Sequence, residues 1–246
     1  MARTDNGSSI STQRAEQCNA VRQHAGEGRK NLPSIDQHVP SAAHYDAQYL
    51  SHGRTYSIAA QLASIMDLAP RNVLEVGVGT GISAFSLRSI GVEVITLDVQ
   101  PELAPDIIGD VRAIPRGDAS FDVASCCQVL EHLPLTDLSA ALRELRRVTR
   151  WRLVLSLPDI TRYCDCALSL PLIGRRGVSF SLPVREPSDA WKAERLATMG
   201  HYWEIGMNGA TAAGVTAALR GAGFDAVRSF RVRELSWHRF FIADIA

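Results

Sequence analysis

The chain has 246 residues, of which 46% are hydrophobic and 21% charged, enough length and apolar content to bury one large core. Lysine plus arginine and aspartate plus glutamate number 26 each, so the formal net charge is zero. A collagen-like fibre and a wholly disordered chain are excluded, and without an overall positive field nucleic-acid binding is disfavoured. No apolar run reaches the roughly 18 residues of a membrane crossing, and the N-terminus lacks the basic-then-apolar pattern of a secretory signal. The expected location is therefore cytoplasmic. The five cysteines, Cys18, Cys126, Cys127, Cys164 and Cys166, show no CxxC pair, so reduced thiols and no metal are expected.

Residues 1–40 are rich in Ser, Asn, Gln, Gly and Arg and read as a disordered tail. From 41 to 246 the pattern is that of one domain. Tyr45, Tyr49, Ile58, Leu62, Ile65 and Leu68 recur at helical spacing and stop at Pro70. Beyond Pro70, β-rich and helical runs alternate: a strand at 73–76, helix 82–90, strand 92–97, a short extended step 106–109, strand 121–126, helix 136–149 and the apolar strand 153–157. This rhythm predicts an α/β, doubly wound and mostly parallel sheet with helices on both faces. Residues 160–206 break the rhythm, with Pro171, Pro183 and Pro187, and read as an insertion or lid that covers the substrate. A helix at 210–221 and strands at 226–232 and 237–245 follow, and the last two predict a C-terminal antiparallel hairpin.

The most informative stretch is Val73-Leu74-Glu75-Val76-Gly77-Val78-Gly79-Thr80-Gly81, an apolar strand that runs into three glycines and then a helix. Glycine lets the backbone turn sharply and lets a ligand approach main-chain atoms that a Cβ would shield. The spacing G-x-G-x-G differs from the dinucleotide fingerprint. Asp98 closes the next strand, at the separation from which a carboxylate reaches the hydroxyls of a ribose held over such a loop. Asp110 follows the third strand position and is placed to accept from an adenine amine; a turn-capping role is its alternative.

These residues, together with Ser120-Phe121-Asp122-Val123 and Val129-Leu130-Glu131-His132-Leu133, resemble class I S-adenosylmethionine-dependent methyltransferases. The nearest branch is the small-molecule one typified by ubiquinone and menaquinone biosynthesis enzymes. The resemblance implies a Rossmann-like, seven-stranded sheet whose last strand is antiparallel, and S-adenosyl-L-methionine as cofactor. Position by position it implies Gly77, Gly79 and Gly81 against the methionine part, Glu75 in the network around its amino group, Asp98 on the ribose, and Asp110 with Val111 at the adenine. Gln128 is expected beneath the cofactor, and Glu131 and His132 as supports of the loop that follows.

A sulfonium methyl is already activated, so the protein need only orient the acceptor, and a base is required only where a hydroxyl must lose its proton. His201, with Glu204 beside it, is the candidate; the alternative is that the two pin the insertion by hydrogen bonds. Tyr202 and Trp203 read as pocket walls or as packing. The expected reaction is methyl transfer to a small molecule, with O-methylation favoured. The rivals are RNA or protein methylation, for which Arg143, Arg146, Arg147, Arg150 and Arg152 form a basic cluster, and a nucleoside-binding protein without turnover. A homo-oligomer is left open.

Overall fold

Aliphatic runs with no polar break make strands that are buried on both faces, and such strands demand helices above and below. The computed structural model describes residues 44–45, 49–170, 174–182 and 185–246, all within the unit Gln37–Ala246; the predicted tail, 1–40, lies outside the described residues. Helix α1 spans His52–Met66, with the Ser51 hydroxyl accepting from Arg54 N. Then come β1 (Asn72–Val76), α2 (Ile82–Ser89), β2 (Glu93–Asp98), β3 (Ile107–Ile108), β4 (Phe121–Cys127), α3 (Leu138–Val148) and β5 (Thr149–Pro158). The insertion supplies β6 (Arg162–Leu170), β7 (Gly174–Leu182) and α4 (Asp189–Met199), and the chain closes with α5 (Ala212–Gly221), β8 (Ala226–Val232) and β9 (Leu235–Asp244).

Seven strands form one sheet in the order β3-β2-β1-β4-β5-β9-β8. Neighbours from β3 to β5 pair in parallel, while β9 runs antiparallel to both β5 and β8. The expected fold class is borne out, terminal hairpin included. The strand order reverses between β1 and β4, and ligands of such sheets bind beyond the strand ends at that switch point. Gly77 leaves β1 there and Gln128 leaves β4. One face of the sheet is packed by α3 and α5 through Leu142, Leu145, Val215 and Leu219. The other is packed by α1 and α2 through Ile65, Ala84 and Leu87.

Two readings change and one narrows. Of the one or two helices expected before Pro70, α1 begins after Tyr45 and Tyr49, because Ser51 caps it. Strand β5 starts four positions before the expected Leu153: its first part contains charged residues, yet Arg152 pairs in register with Asp244 and bonds its carboxylate at 2.5 Å, with Asp67 at 2.9 Å. A polar edge that pairs its charges continues the ladder where a hydrophobic pattern ends. Residues 160–206, read as an insertion without regular structure, instead hold an antiparallel hairpin of two nine-residue strands and a helix.

That hairpin is a second, two-stranded sheet. Its odd-numbered side is fastened to the body by Asp165 against Arg233 and by Tyr163 under the Arg231 guanidinium, 5.1 Å away. Its other side leaves Val178 and Phe180 exposed, with Cys164 and Cys166. The arginine cluster is mostly used inside the fold: Arg147 bonds Glu144 and Asp118, Arg150 bonds Asp122, and Arg146 donates to Gly223 O. Little of it remains for a polyanion.

Candidate active site

The glycine loop is held by conformation. Gly77 has φ +83°, and a Cβ there would stand 2.4 Å from Val129 Cγ2, so only glycine fits. Gly79 has φ +51° and lies under the Tyr45 ring, with a would-be Cβ 3.6 Å from Cε1. Gly81 serves differently: it caps α2 in the left-handed region and faces open space, away from the cavity wall. Gly77 N donates to Leu97 O at 2.9 Å, tying the loop to β2. Asp98 completes the tie. Its carboxylate accepts from Val78 N and from Gln100 N, both at 2.9 Å.

Beyond the loop opens a cavity of about 970 Å³ including its mouth. Gly77, Gly79 and Asp98 form one wall with Gly109, Asp110 and Val111, and Gln128, His132 and Ser156 form the other. Helix α1 roofs it with Arg54, Ser57, Ile58 and Gln61, and Tyr45, Tyr49 and His238 close the sides. Of the cofactor residues expected from sequence, Gly77, Gly79, Asp98, Asp110, Val111 and Gln128 come together here. Gly81 and Glu75 do not reach the wall. Glu75 is buried beneath it, its Oε1 3.4 Å from Gln61 Nε2, and burial pushes its carboxyl up to about 7. Gln61 stands between Glu75 and the cavity and also donates to Ser125 Oγ at 2.9 Å.

Asp110 is more committed than the sequence suggests. Arg112 folds back on it through its own backbone N at 2.8 Å and through Nε and Nη2 at 3.0 and 2.6 Å, and reaches Asp137 with Nη1 at 2.5 Å. The carboxylate is therefore held in place, with few lone pairs left to offer. Gln128 has φ +56°, a conformation that costs a non-glycine residue energy and marks functional loops. Its amide donates to Ser156 Oγ at 3.2 Å.

A second, smaller chamber adjoins the first and shares Tyr45, Tyr49, Arg54, Gln128 and His132 with it, adding His44, Glu131, Met199, His201 and Trp237. Among the described residues of the insertion, Met199 and His201 reach this wall and the hairpin does not. His201 Nδ1 stands 2.7 Å from Glu204 Oε1. Glu204 is fully buried, lies behind His201 rather than in the wall, and is also paired with Arg195 Nε at 3.0 Å. Of these two residues, expected to act on an acceptor, only His201 therefore lines the chamber, and Glu204 orients it. Trp203 is packing: it is wholly buried and donates to Leu133 O at 3.0 Å.

Glu131 is fully buried with neither carboxylate oxygen bonded, and burial raises its pKa to about 8. His132, whose Nδ1 is 3.1 Å from Gly200 O, is pushed by burial down to about 4 and so stays neutral. One donor atom each from Glu131, His132 and His201 lie within 4.8 Å of one another, a carboxylate and two imidazoles that could take a divalent cation. Cys164 and Cys166 take no part; their thiols lie 4.0 Å from each other on the exposed side of the hairpin.

Sequence reading missed Ser57, Gln61, Ser156, His238 and Arg112. Arg54, Ser57 and Gln61 do carry a signal, a polar stripe at helical spacing along one side of α1. His238 carries none, because one histidine in a terminal strand is ordinary.

A strand-reversal crevice with a glycine loop on one side and carboxylates at the next two strand ends is the ligand-site arrangement of a doubly wound α/β fold. Residues 74–152 match the family model described as "Methyltransferase domain". A "Ubiquinone biosynthesis O-methyltransferase" of Xanthomonas oryzae pv. oryzae is 29% identical over 135 residues, 48% of this chain and 54% of that protein. The chain thus spans about half the length of the curated relative it matches. A Burkholderia thailandensis 1,6-didemethyltoxoflavin-N1-methyltransferase, solved with S-adenosylhomocysteine, aligns over 100% of this chain and 93% of its own at TM-score 0.53 and 15% identity. The N-methyltransferase NodS of Bradyrhizobium japonicum, also solved with S-adenosylhomocysteine, covers 79% of this chain and 88% of its own at TM-score 0.55 and 14% identity. The fold is that of the class I S-adenosylmethionine-dependent methyltransferases, and the resemblance drawn from the motifs is borne out. Among the described residues no helix is long and apolar enough to cross a membrane.

Proposed function

We propose that the protein transfers a methyl group from S-adenosyl-L-methionine to a small-molecule hydroxyl. The observation that carries this reading is the open crevice at the strand reversal, where the glycine loop, Asp98 and the Asp110-Val111 step line one continuous wall. Gly77 and Gly79 leave the main chain bare for the methionine part. Arg54, stacked 3.8 Å over Tyr49, supplies a cation for the cofactor's carboxylate. Asp98, fixed by two backbone N–H groups, keeps lone pairs for the ribose hydroxyls, and Asp110 with Val111 borders the adenine. The cofactor supplies an activated methyl; the chain's own residues orient the acceptor and exclude water.

The acceptor would occupy the second chamber, between Tyr45, Tyr49 and Trp237. Glu204 holds His201 by Nδ1, which leaves Nε2 to take the hydroxyl proton. Isothermal titration calorimetry with S-adenosylhomocysteine tests the cofactor assignment: one-to-one binding is expected, and well-folded protein that ignores the ligand overturns it. For the acceptor, His201→Ala is expected to lower kcat and leave S-adenosylhomocysteine affinity unchanged; an unchanged kcat removes the base.

A further inference from the structure

Ser57 and His238 line the main cavity, yet the reading above gives them no task. His238 pairs with Pro158 where β5 and β9 meet at the rim of the sheet, and it is 2% exposed. Its Nδ1 stands 2.7 Å from Ser57 Oγ on α1, while Nε2 is buried with no hydrogen-bond partner. The Trp237 ring stands edge-on to the imidazole, 4.2 Å between ring centres.

The two neutral tautomers are not equivalent. If Nδ1 carries the proton and donates to Ser57, the serine hydroxyl hydrogen and the Nε2 lone pair are both left over. If Ser57 donates to Nδ1, the proton sits on Nε2 and a single N–H remains to be matched. Burial keeps the ring neutral, with a pKa pushed down to about 3, so neither state is replaced by imidazolium at working pH. The second arrangement leaves fewer groups unmet. Its remaining N–H is fixed and dry, on a side chain that lines the cavity.

We infer that Ser57 and His238 form a ligand-reading pair, in which Ser57 fixes the proton on His238 Nε2 and that N–H donates to an oxygen of the bound molecule. The inference rests on the proposed cofactor reading for the identity of its ligands, and assigns the oxygen to the cofactor's carboxylate or to an oxygen of the acceptor. A structural histidine would satisfy both ring nitrogens with the protein. This one satisfies only the nitrogen turned toward α1.

The test uses the full chain and three probes: S-adenosylhomocysteine, 5′-methylthioadenosine, which lacks the amino-acid end, and catechol titrated onto protein saturated with S-adenosylhomocysteine. The ring nitrogens of His238 are followed by ¹⁵N NMR, and the Nε2–H tautomer is expected; an Nδ1–H tautomer overturns the inference. If the oxygen belongs to the cofactor, His238→Phe weakens S-adenosylhomocysteine about tenfold and leaves 5′-methylthioadenosine unchanged. If it belongs to the acceptor, both nucleosides bind as before and catechol capture falls by a similar factor. His238→Gln, which restores an N–H near Nε2, is expected to recover part of the loss. Equal weakening of both nucleosides marks a packing role and overturns the inference, as does no change in any titration. Should His238→Phe fail to fold, Ser57→Ala carries the same comparison, with a mixed tautomer population as its signature. Wild-type protein that binds neither nucleoside defeats the cofactor reading instead, and the tautomer spectrum then decides the pair alone.

Discussion

The two halves of the crevice are built on opposite principles. On the glycine-loop side the polar groups of the wall satisfy one another within the chain, with Glu75 Oε2, buried beneath the wall, as the exception: Asp98 takes Val78 N and Gln100 N, and Asp110 takes Arg112. On the opposite side, polar atoms are buried and left over, including both oxygens of Glu131 at the second chamber and Nε2 of His238 beside the main cavity. The first half is preorganised for a ligand whose position is set by backbone shape. The second carries unsettled groups that a ligand or a proton must settle, and an unmatched buried polar group costs about 1–3 kcal/mol. That contrast predicts stability from one side and pH sensitivity from the other.

The largest effect is expected from Gly77→Ala. The substitution forces a methyl onto Val129 Cγ2 at a positive φ, and a loss of about 3 kcal/mol or more in unfolding free energy should accompany lost S-adenosylhomocysteine binding. Chemical denaturation and calorimetry read both. Gly81→Ala, equally left-handed but facing open space, should cost only about 1–2 kcal/mol. Equal penalties at the two sites would remove the close-approach argument.

Next comes Glu131. Its carboxyl ionises in the unfolded chain above about 4.5 but resists ionisation in the fold until about 8. The fold therefore prefers the protonated form. Its contribution is fully present below the unfolded value and is lost as pH rises through the folded one. Glu131→Gln, always neutral, should match wild type near pH 5 and exceed it by a few kcal/mol near pH 8. Denaturation midpoints across that range check this, and a wild-type curve that rises with pH relative to the variant would refute the buried, unpaired carboxyl. His132 and His238 act at the other end. Their folded pKa values of about 4 and about 3 lie below the unfolded value, so the stability they contribute is present above about 6.5 and lost as pH falls toward those values.

A smaller loss should follow from Arg54→Gln, which keeps the helix and removes the cation. S-adenosylhomocysteine is expected to bind about tenfold more weakly, while thermal stability changes little. The smallest effect belongs to the outer side of the hairpin: Cys164→Ser should change stability by under about 0.5 kcal/mol and leave nucleoside binding alone, since neither cysteine lines a chamber. A clear effect there would mean the hairpin reaches the site.

The alternation of apolar runs and glycine turns made the parallel sheet and the terminal hairpin legible in the sequence, because buried strands and their crossovers follow local pattern. The glycine loop, Asp98 and Asp110 were legible for the same reason, since they sit at strand ends and strand ends converge wherever the sheet order reverses, whereas Gln128 was reached only through the resemblance. The length of β5 was not, since its first residues are held by ion pairs that join Arg152 to Asp67 and Asp244 across the fold. The hairpin inside 160–206 was hidden because its pairing lacks the clean alternation of a strand on a core, and its docking depends on Arg231 and Arg233 far along the chain.

Sequence alone determined the scaffold and the half of the site made by backbone. Tertiary structure decided the rest: that Glu75 and Gly81 stand behind the wall, that Glu204 orients His201 from behind, and that Arg54, Ser57 and His238 face one cavity. Those assignments depend on which groups are left unpaired when distant segments pack. Pairing across a fold has no period for a sequence to display.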